Sequence, residues 1–430
     1  MPPRQAVFRL MRMKNELRAA AGAVLATLLI AGCGSNKVPP PVMAHGVAAR
    51  EPLTDPRPYG TADTAFGLDV LSAWCRANSQ ANLVLSPSSL ASGLGMAYLG
   101  ARGGTARAMA GVLHLPVGGQ ALEAGLQARS AALRDLARPG VTLDASDQVW
   151  ADPALPTERS YLDAVATGYD AGVAQAQLLD NPEQARREIN QAIAAATKGQ
   201  IPQLLLPGSL KDIGWVLTDA LYMHAAWAAP FDPHKTSPGP FTTAAGQQVT
   251  AKFMINGPYR AVRAGGWTAV WLPYRGGKLA MEALLPPAGT AGCAVPTVAA
   301  LGAMTSRLAP GQPGAPTMSI AIPKVNLASQ VSMKPVLTQL GMGVAFSPSA
   351  DFTGLSTQAC CIGLVEHAAT LDVGEKGTVA SAATAVGMEP TAARVMPARL
   401  LFNRPYLIVV TARATGEPLF MARVANPATR

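Results

Sequence analysis

Five histidines, His45, His114, His224, His234 and His367, are the side chains of this 430-residue sequence best suited to proton transfer or metal binding near neutral pH. None stands in an HExxH pattern or beside a carboxylate at ligand spacing, so zinc chemistry has no support. A serine nucleophile would call for GxSxG, and the nearest approach, LASGLG around Ser92, lacks the first glycine. The glycines of GLGMAYLGARGG fit neither GxGxxG nor GxxxxGK[ST], and are read as tight turns and close packing. Apart from Cys33, the cysteines are Cys75, Cys293, Cys360 and Cys361, with no CxxC spacing. Cys360 and Cys361 are adjacent, a poor geometry for an ordinary disulfide; buried free thiols are the default expectation, with pairing across the fold in an oxidising compartment left open. These residue types point away from an enzyme and require no metal or cofactor.

A chemically quiet stretch is more informative. From Gly377 to Met388, twelve residues run without charge or proline and with mostly small side chains, immediately after Glu375 and Lys376. As a helix the run is rich in alanine, but Thr378, Val379, Thr384 and Val386 are β-branched, Gly387 interrupts, and no apolar stripe forms at three-four spacing. With period two, Thr378, Ala380, Ala382, Thr384, Val386 and Met388 share one uncharged face. That is the composition a strand needs in the interior of a sheet, where proline and unpaired charge are excluded.

The bulk composition, 49% hydrophobic and 14% charged, describes an ordered globular chain with length enough for a large core. The net charge of +9 overstates its basicity, because five basic residues and one acid before residue 19 contribute +4 and leave +5. No basic block with interleaved aromatics occurs, so nucleic acid is not an expected partner. Those early basic residues precede the apolar run AAAGAVLATLLIAGC, too short for an ordinary membrane span. It ends in Ile30-Ala31-Gly32-Cys33, which resembles the bacterial lipobox. That resemblance implies a lipoprotein signal peptide over 1–32 and acylation of Cys33, with a membrane anchor at the cell envelope, facing periplasm or exterior. Residues 33–58 then read as a Pro-rich tether, and 59–430 as one domain.

Within that domain, TAFGLDVLSAWCRA has helical spacing, and Ser86-Pro87 provides a hydroxyl cap with proline in the first turn of a second helix. EQARREINQAIAAATKGQI is a third, stopped at Gly199. Strand-like runs follow at WVLTDALYM, RAVRAG, WTAVWLPY, LAMEALLPP, MSIAIPKVNL, HAATLDV, RPYLIVVTA and LFMARVAN. Early helices and late strands without regular alternation predict an α+β fold with mixed or antiparallel sheets.

In order, NLVLSPSSLASGLGMAYLGARGGT, LTDALYMHAAWAAPFDPHKTSPGPF, IPKVNL, LTQLGMGVAFSPSADFTGLS, EHAATLDVGEKGT, FNRPYLIVV and GEPLFMARVANP resemble the serpins, over about Tyr59 to Pro427. The resemblance implies the serpin fold: mixed β-sheets with a large central sheet, surrounding helices and an exposed reactive-centre loop. It also implies inhibition of serine proteases, in which the cut loop inserts into the central sheet and the protease is trapped as an acyl-enzyme.

Carried over by position, Glu375, Gly377, Thr378, Ala380, Ala382 and Thr384 are the hinge and its leading inward residues. The scissile bond falls between Thr391 and Ala392 counting from the hinge, or between Arg394 and Val395 counting back from FNRPY. The first favours elastase-like or subtilisin-like targets, the second trypsin-like ones. Ser86, Ser89 and His367 resemble the shutter beneath the opening sheet, and Trp227 the aromatic at its upper entrance. Asp219 departs from the family's usual asparagine and brings a carboxylate to the shutter. Val379 replaces a common glutamate. A non-inhibitory serpin, a binding or scaffold protein at the envelope, is the alternative; the clean hinge argues against it and Gly387 keeps it open.

Overall fold

The computed structural model describes residues 41–429, apart from 51, 53, 117–119, 138–139, 291, 313–314 and 379–398. Pro40–Arg430 forms one compact unit. The expectations for Cys33, Ala380, Ala382, Thr384, Thr391, Ala392, Arg394 and Val395 lie outside the described residues.

The chain opens with strand β1 (Val42–Ala44), helix α1 (Arg57–Ala77), strand β2 (Leu83–Leu85) and helices α2 (Pro87–Gly100), α3 (Gly103–Val112) and α4 (Gln120–Arg134). Strands β3 (Val141–Ala145) and β4 (Gln148–Ala151), helix α5 (Arg159–Tyr169), strand β5 (Val173–Gln175) and helix α6 (Pro182–Ala196) follow. Strands then dominate: β6 (Trp215–Ala226), β7 (Ser237–Thr242), β8 (Gln248–Ala264), β9 (Trp267–Pro273) and β10 (Leu279–Leu285). Helix α7 (Val298–Leu308), strands β11 (Thr317–Pro323) and β12 (Val325–Ser332), and the short helix α8 (Lys334–Leu337) lead to β13 (Val365–Gly374) and β14 (Gly377–Thr378). The described chain ends with β15 (Arg399–Leu401), β16 (Tyr406–Ala412) and β17 (Pro418–Val424).

These strands make two sheets. The large one runs β1-β5-β4-β6-β14-β13-β12, with β3 also on β6; the second runs β15-β11-β8-β9-β10-β16-β17-β2, with β7 on β8. Strand β6 is the backbone of the large sheet because its sequence suits burial on both sides. Val216 and Ala220 pack on one face with Ala185, Ile189 and Ile193, the apolar stripe of α6. Leu217, one residue out of phase, packs on the other with Leu90 and Leu94 of α2. Ser86 caps α2 as its sequence predicts, its Oγ accepting from the Ser89 N–H at 3.2 Å.

Two sequence expectations are corrected. The tether over 33–58 is not continuous: Val42–Ala44 form β1, which pairs antiparallel with β5, and α1 begins at Arg57. Val42 and Ala44 there alternate with Met43, which packs against the α6 core, so a short apolar run next to prolines served as an edge strand. The free-thiol expectation fails for Cys75 and Cys293, which form a disulfide with Cα atoms 5.6 Å apart across 218 residues of chain. Only the fold brings such distant cysteines within bonding reach. Cys360 and Cys361 are free.

Buried charge is handled in two ways. Arg129 of α4 pairs with Asp63 of α1 at 2.6 Å and with Glu417, beside β17, at 2.7 Å, and donates to Ser92 Oγ and the Ser88 carbonyl of α2. This ties three helices to the β16–β17 turn, and breaking one partner would strand a charge in the core. Glu282 of β10 has no such cation among the described residues; its carboxylate accepts from Thr305 Oγ1 of α7 at 2.9 and 3.0 Å. Burial pushes the Glu282 carboxyl up to about 7, a rise the Thr305 hydroxyl only partly opposes. A carboxyl raised in the folded state stabilises fully below its unfolded value, near 4.5, and that contribution is lost as pH rises through about 7. Glu282→Gln is therefore expected to raise stability at pH 8 by roughly 2–3 kcal/mol and to leave pH 4.5 nearly unchanged. Urea unfolding midpoints at the two pH values check this; an equal shift at both would contradict it.

Candidate functional site

The large sheet has a seam. Strands β6 and β13 are parallel and pair directly over Leu217–Leu221 and Val365–Ala369. Above that stretch, Gly377 and Thr378 lie between them, antiparallel to both: Gly377 opposes Gly374 and Ala226, and Thr378 opposes Val373 and Ala225. The start of the quiet, proline-free stretch is thus already an interior strand at one end of the seam.

The residues holding that end explain why the chain turns there. Trp227 is buried, stacks on Tyr274 at 4.5 Å between ring centroids, and donates its Nε1–H to the Gly374 carbonyl at 2.9 Å. The backbone N–H groups of Trp227 and Phe231 donate to the carbonyls of Lys376 and Glu375. Thr378 is fully buried, its hydroxyl 2.6 Å from the Tyr274 hydroxyl. At Gly377, φ is +150° and a Cβ would stand 2.1 Å from the Ala225 carbonyl oxygen, so any side chain would force the strand out. Glu375 accepts from Thr236 Oγ1 at 3.0 Å and pairs with Lys324 at 2.7 Å. Burial would raise the Glu375 carboxyl, but the hydrogen bonds from Lys324, its own backbone and Thr236 outweigh it and hold the group below its usual value.

At the other end of the seam a polar cluster lies on the α2 side. His367 of β13 is fully buried; its Nε2 accepts the Ser86 backbone N–H at 3.2 Å, so the ring proton sits on Nδ1 and points to Asp219 Oδ1 of β6 at 2.5 Å. His367 and Asp219 are directly opposed in the β13–β6 register. This bond therefore crosses the seam itself. Serine, histidine and aspartate meet here, yet the arrangement is no catalytic triad. The histidine takes a backbone N–H rather than a hydroxyl, Ser86 Oγ is committed to the α2 cap, and all three residues are buried.

Ser89 and Asp147 complete the cluster. Ser89 Oγ donates to Asp147 Oδ1, in the break between β3 and β4. Burial and the neighbouring Asp219 charge push the Asp147 carboxyl well above the usual carboxylate range. The Ser89 hydrogen bond and the Arg129 charge act in the opposite sense. Asp219 Oδ2 is buried without a hydrogen-bond partner among the described residues. Asp147, Tyr274, Lys324 and Thr236 were not singled out from the sequence. Their partners are 51 to 139 residues away along the chain, and no local pattern announces them.

Comparison with known proteins agrees with this geometry. The serpin (serine protease inhibitor) family profile matches residues 61–427. The chain is 28% identical over 375 residues to the leukocyte elastase inhibitor of Bos taurus, covering 85% of this chain and 98% of that one. It is 31% identical over 366 residues to putative serpin-Z12 of Oryza sativa subsp. japonica, covering 80% and 85%. The crystal structure of tengpin, a thermophilic serpin in the native state, superposes with a TM-score of 0.74 at 21% identity, over 89% of this chain and 97% of that one.

The raised Asp147 carboxyl leads to an expected dependence of stability on pH. Because the Asp147 carboxyl is raised in the folded state, its contribution is full below about 3.8 and lost as pH rises through the raised value. Asp147→Asn, which keeps an acceptor for Ser89, is expected to flatten the fall in thermal midpoint between pH 5 and pH 8. An unchanged slope would contradict this.

Proposed function

We propose that this chain, which belongs to the serpin family, inhibits serine-type endopeptidases as a suicide substrate. The observation that carries the reading is the interior strand begun by Gly377 and Thr378 between β6 and β13. A protease serine attacks the exposed loop and forms an acyl-enzyme. The freed hinge end then continues inward from Thr378, separating the strand pairs at Leu217–Leu221 and Val365–Ala369. This exchanges one parallel pairing for two antiparallel ones. About fourteen inserted residues at ~3.3 Å each carry the cut end roughly 46 Å along the sheet, with the protease still esterified. Deformation of the protease leaves the ester unhydrolysed, since a ~1 Å misplacement of catalytic groups can cost ~100-fold in rate.

The sequence of the stretch supports the same path. Ala380, Ala382 and Thr384 share the phase of Thr378, and each is small and uncharged. Scission between Thr391 and Ala392 is the preferred reading, with Arg394–Val395 as its alternative. The name of the bovine relative, leukocyte elastase inhibitor, accords with a small residue before the bond. Acylation at Cys33 after removal of residues 1–32 would hold the inhibitor at a bacterial envelope, outside the cytoplasm. There it would protect surface proteins from elastase-like or subtilisin-like enzymes.

Incubation with elastase, subtilisin and trypsin is expected to give a boiling-resistant complex and a released peptide beginning at Ala392. A peptide beginning at Val395 would move the bond; complete cleavage without complex by all three would favour the non-inhibitory, scaffold reading. Thr378→Arg places a charge at a fully buried position beside Tyr274. It should leave the loop cleavable and abolish the complex. Cys33→Ser should move the protein from the membrane to the soluble fraction; retention in the membrane would refute the anchor.

A further inference from the structure

The second sheet carries a cavity of about 310 Å³ that the inhibitory reading does not use. It opens where β16 begins and β17 ends, and Trp267, Pro286, Arg404, Tyr406, Leu407 and Arg423 are among its lining residues. That is room for a small organic molecule.

Its charge is one-sided. Arg423, only 4% exposed, lies opposite Leu407 across the β16–β17 pair. It donates to the backbone carbonyls of Ala81 at 3.1 Å and Gly292 at 3.4 Å. Arg404 donates to the Pro286 carbonyl at 2.8 Å. Among the described residues neither guanidinium meets a carboxylate, whereas the other deeply buried arginine, Arg129, pairs with two. Burial depresses both Arg404 and Arg423 below the usual arginine range, the sign of cations without a counter-charge. Each guanidinium has five donors in a planar fork, and the backbone carbonyls use only one or two of them. Both arginines line the same cavity, and an anion bound there would supply the counter-charge they lack. Trp267, Pro286 and Leu407 form an apolar part of the wall, beside the hydroxyl-bearing Thr242, Thr243 and Thr290.

We propose that this cavity is a binding site for a small organic carboxylate, its carboxyl group held by Arg404 and Arg423 and its apolar body lying along Trp267 and Leu407. Arginine forks match carboxylate geometry in a bidentate way, and ligand sites combine a few placed polar groups with apolar walls. The inference is independent of protease inhibition: its residues belong to strands of the second sheet and the segments that join them, and none is on β6 or β13.

Calorimetric titration of the full-length mature protein with sodium benzoate, at constant ionic strength, tests it. Saturable one-to-one binding is expected, weakened at least tenfold in Arg404→Gln and in Arg423→Gln, with quenching of tryptophan fluorescence lost in Trp267→Leu. Arg404 is the more exposed of the pair, so its variant remains informative if Arg423→Gln fails to fold. Absence of saturable binding, or an affinity unchanged in Arg404→Gln, overturns the proposal. Binding of inorganic phosphate without benzoate overturns it as well, because a bare oxyanion makes no use of the apolar wall.

Discussion

Everything in the large sheet depends on how weakly β6 is joined to β13. The two strands touch directly over five residue pairs, and the bond from His367 to Asp219 spans the same stretch. Elsewhere the sheet is held broadly: β12 pairs with β13 along its whole length, and β6 is backed by β3 and β4. Parallel pairing is the less stable kind per residue. The seam is therefore a short parallel junction between β6 and β13, with a helix over each face. Helix α6 lies over Ala220 and Ala368, small residues on either side of the seam. Helix α2 presents its capped end to the opposite face.

The two ends of the seam are built from opposite chemistry. At the hinge end, aromatic stacking of Trp227 on Tyr274 and the Lys324–Glu375 pair position backbone that has already entered the sheet. At the other end, a buried histidine, two carboxylates and two serines form a network with one orphaned carboxylate oxygen. Aromatic packing is tolerant of pH, whereas a network of close carboxylates is not. The seam thus has an aromatic clamp with one ion pair at the top and a buried carboxylate network below it.

Much of this was legible in the sequence, for identifiable reasons. The strand-like runs from Trp215 to Val424 correspond to strands, because long apolar stretches bounded by Gly and Pro leave few alternatives. Ser86-Pro87 marked the start of α2, since capping is a local signal. The short strands β3, β4, β5 and β7 carried no such periodicity; they exist because β6 offers an edge to β3 and β4, β4 to β5, and β8 to β7. The same holds at the site. Glu375, Gly377, Thr378, His367 and Trp227 could be placed from motifs, but Asp147 and Tyr274 act only through residues far along the chain. The Cys75–Cys293 disulfide and the β1–β5 pairing were invisible for the same reason.

The claim on which the account rests is that the stretch after Thr378 completes a central strand once the loop is cut. Hydrogen exchange on β6 and β13, with a thermal melt of intact and loop-cleaved protein, tests it most directly. The account predicts that cleavage raises the melting temperature by tens of degrees and slows exchange along both strands facing the seam. A cleaved protein that melts at or below the intact one, with exchange unchanged at Leu217–Leu221 and Val365–Ala369, would contradict it.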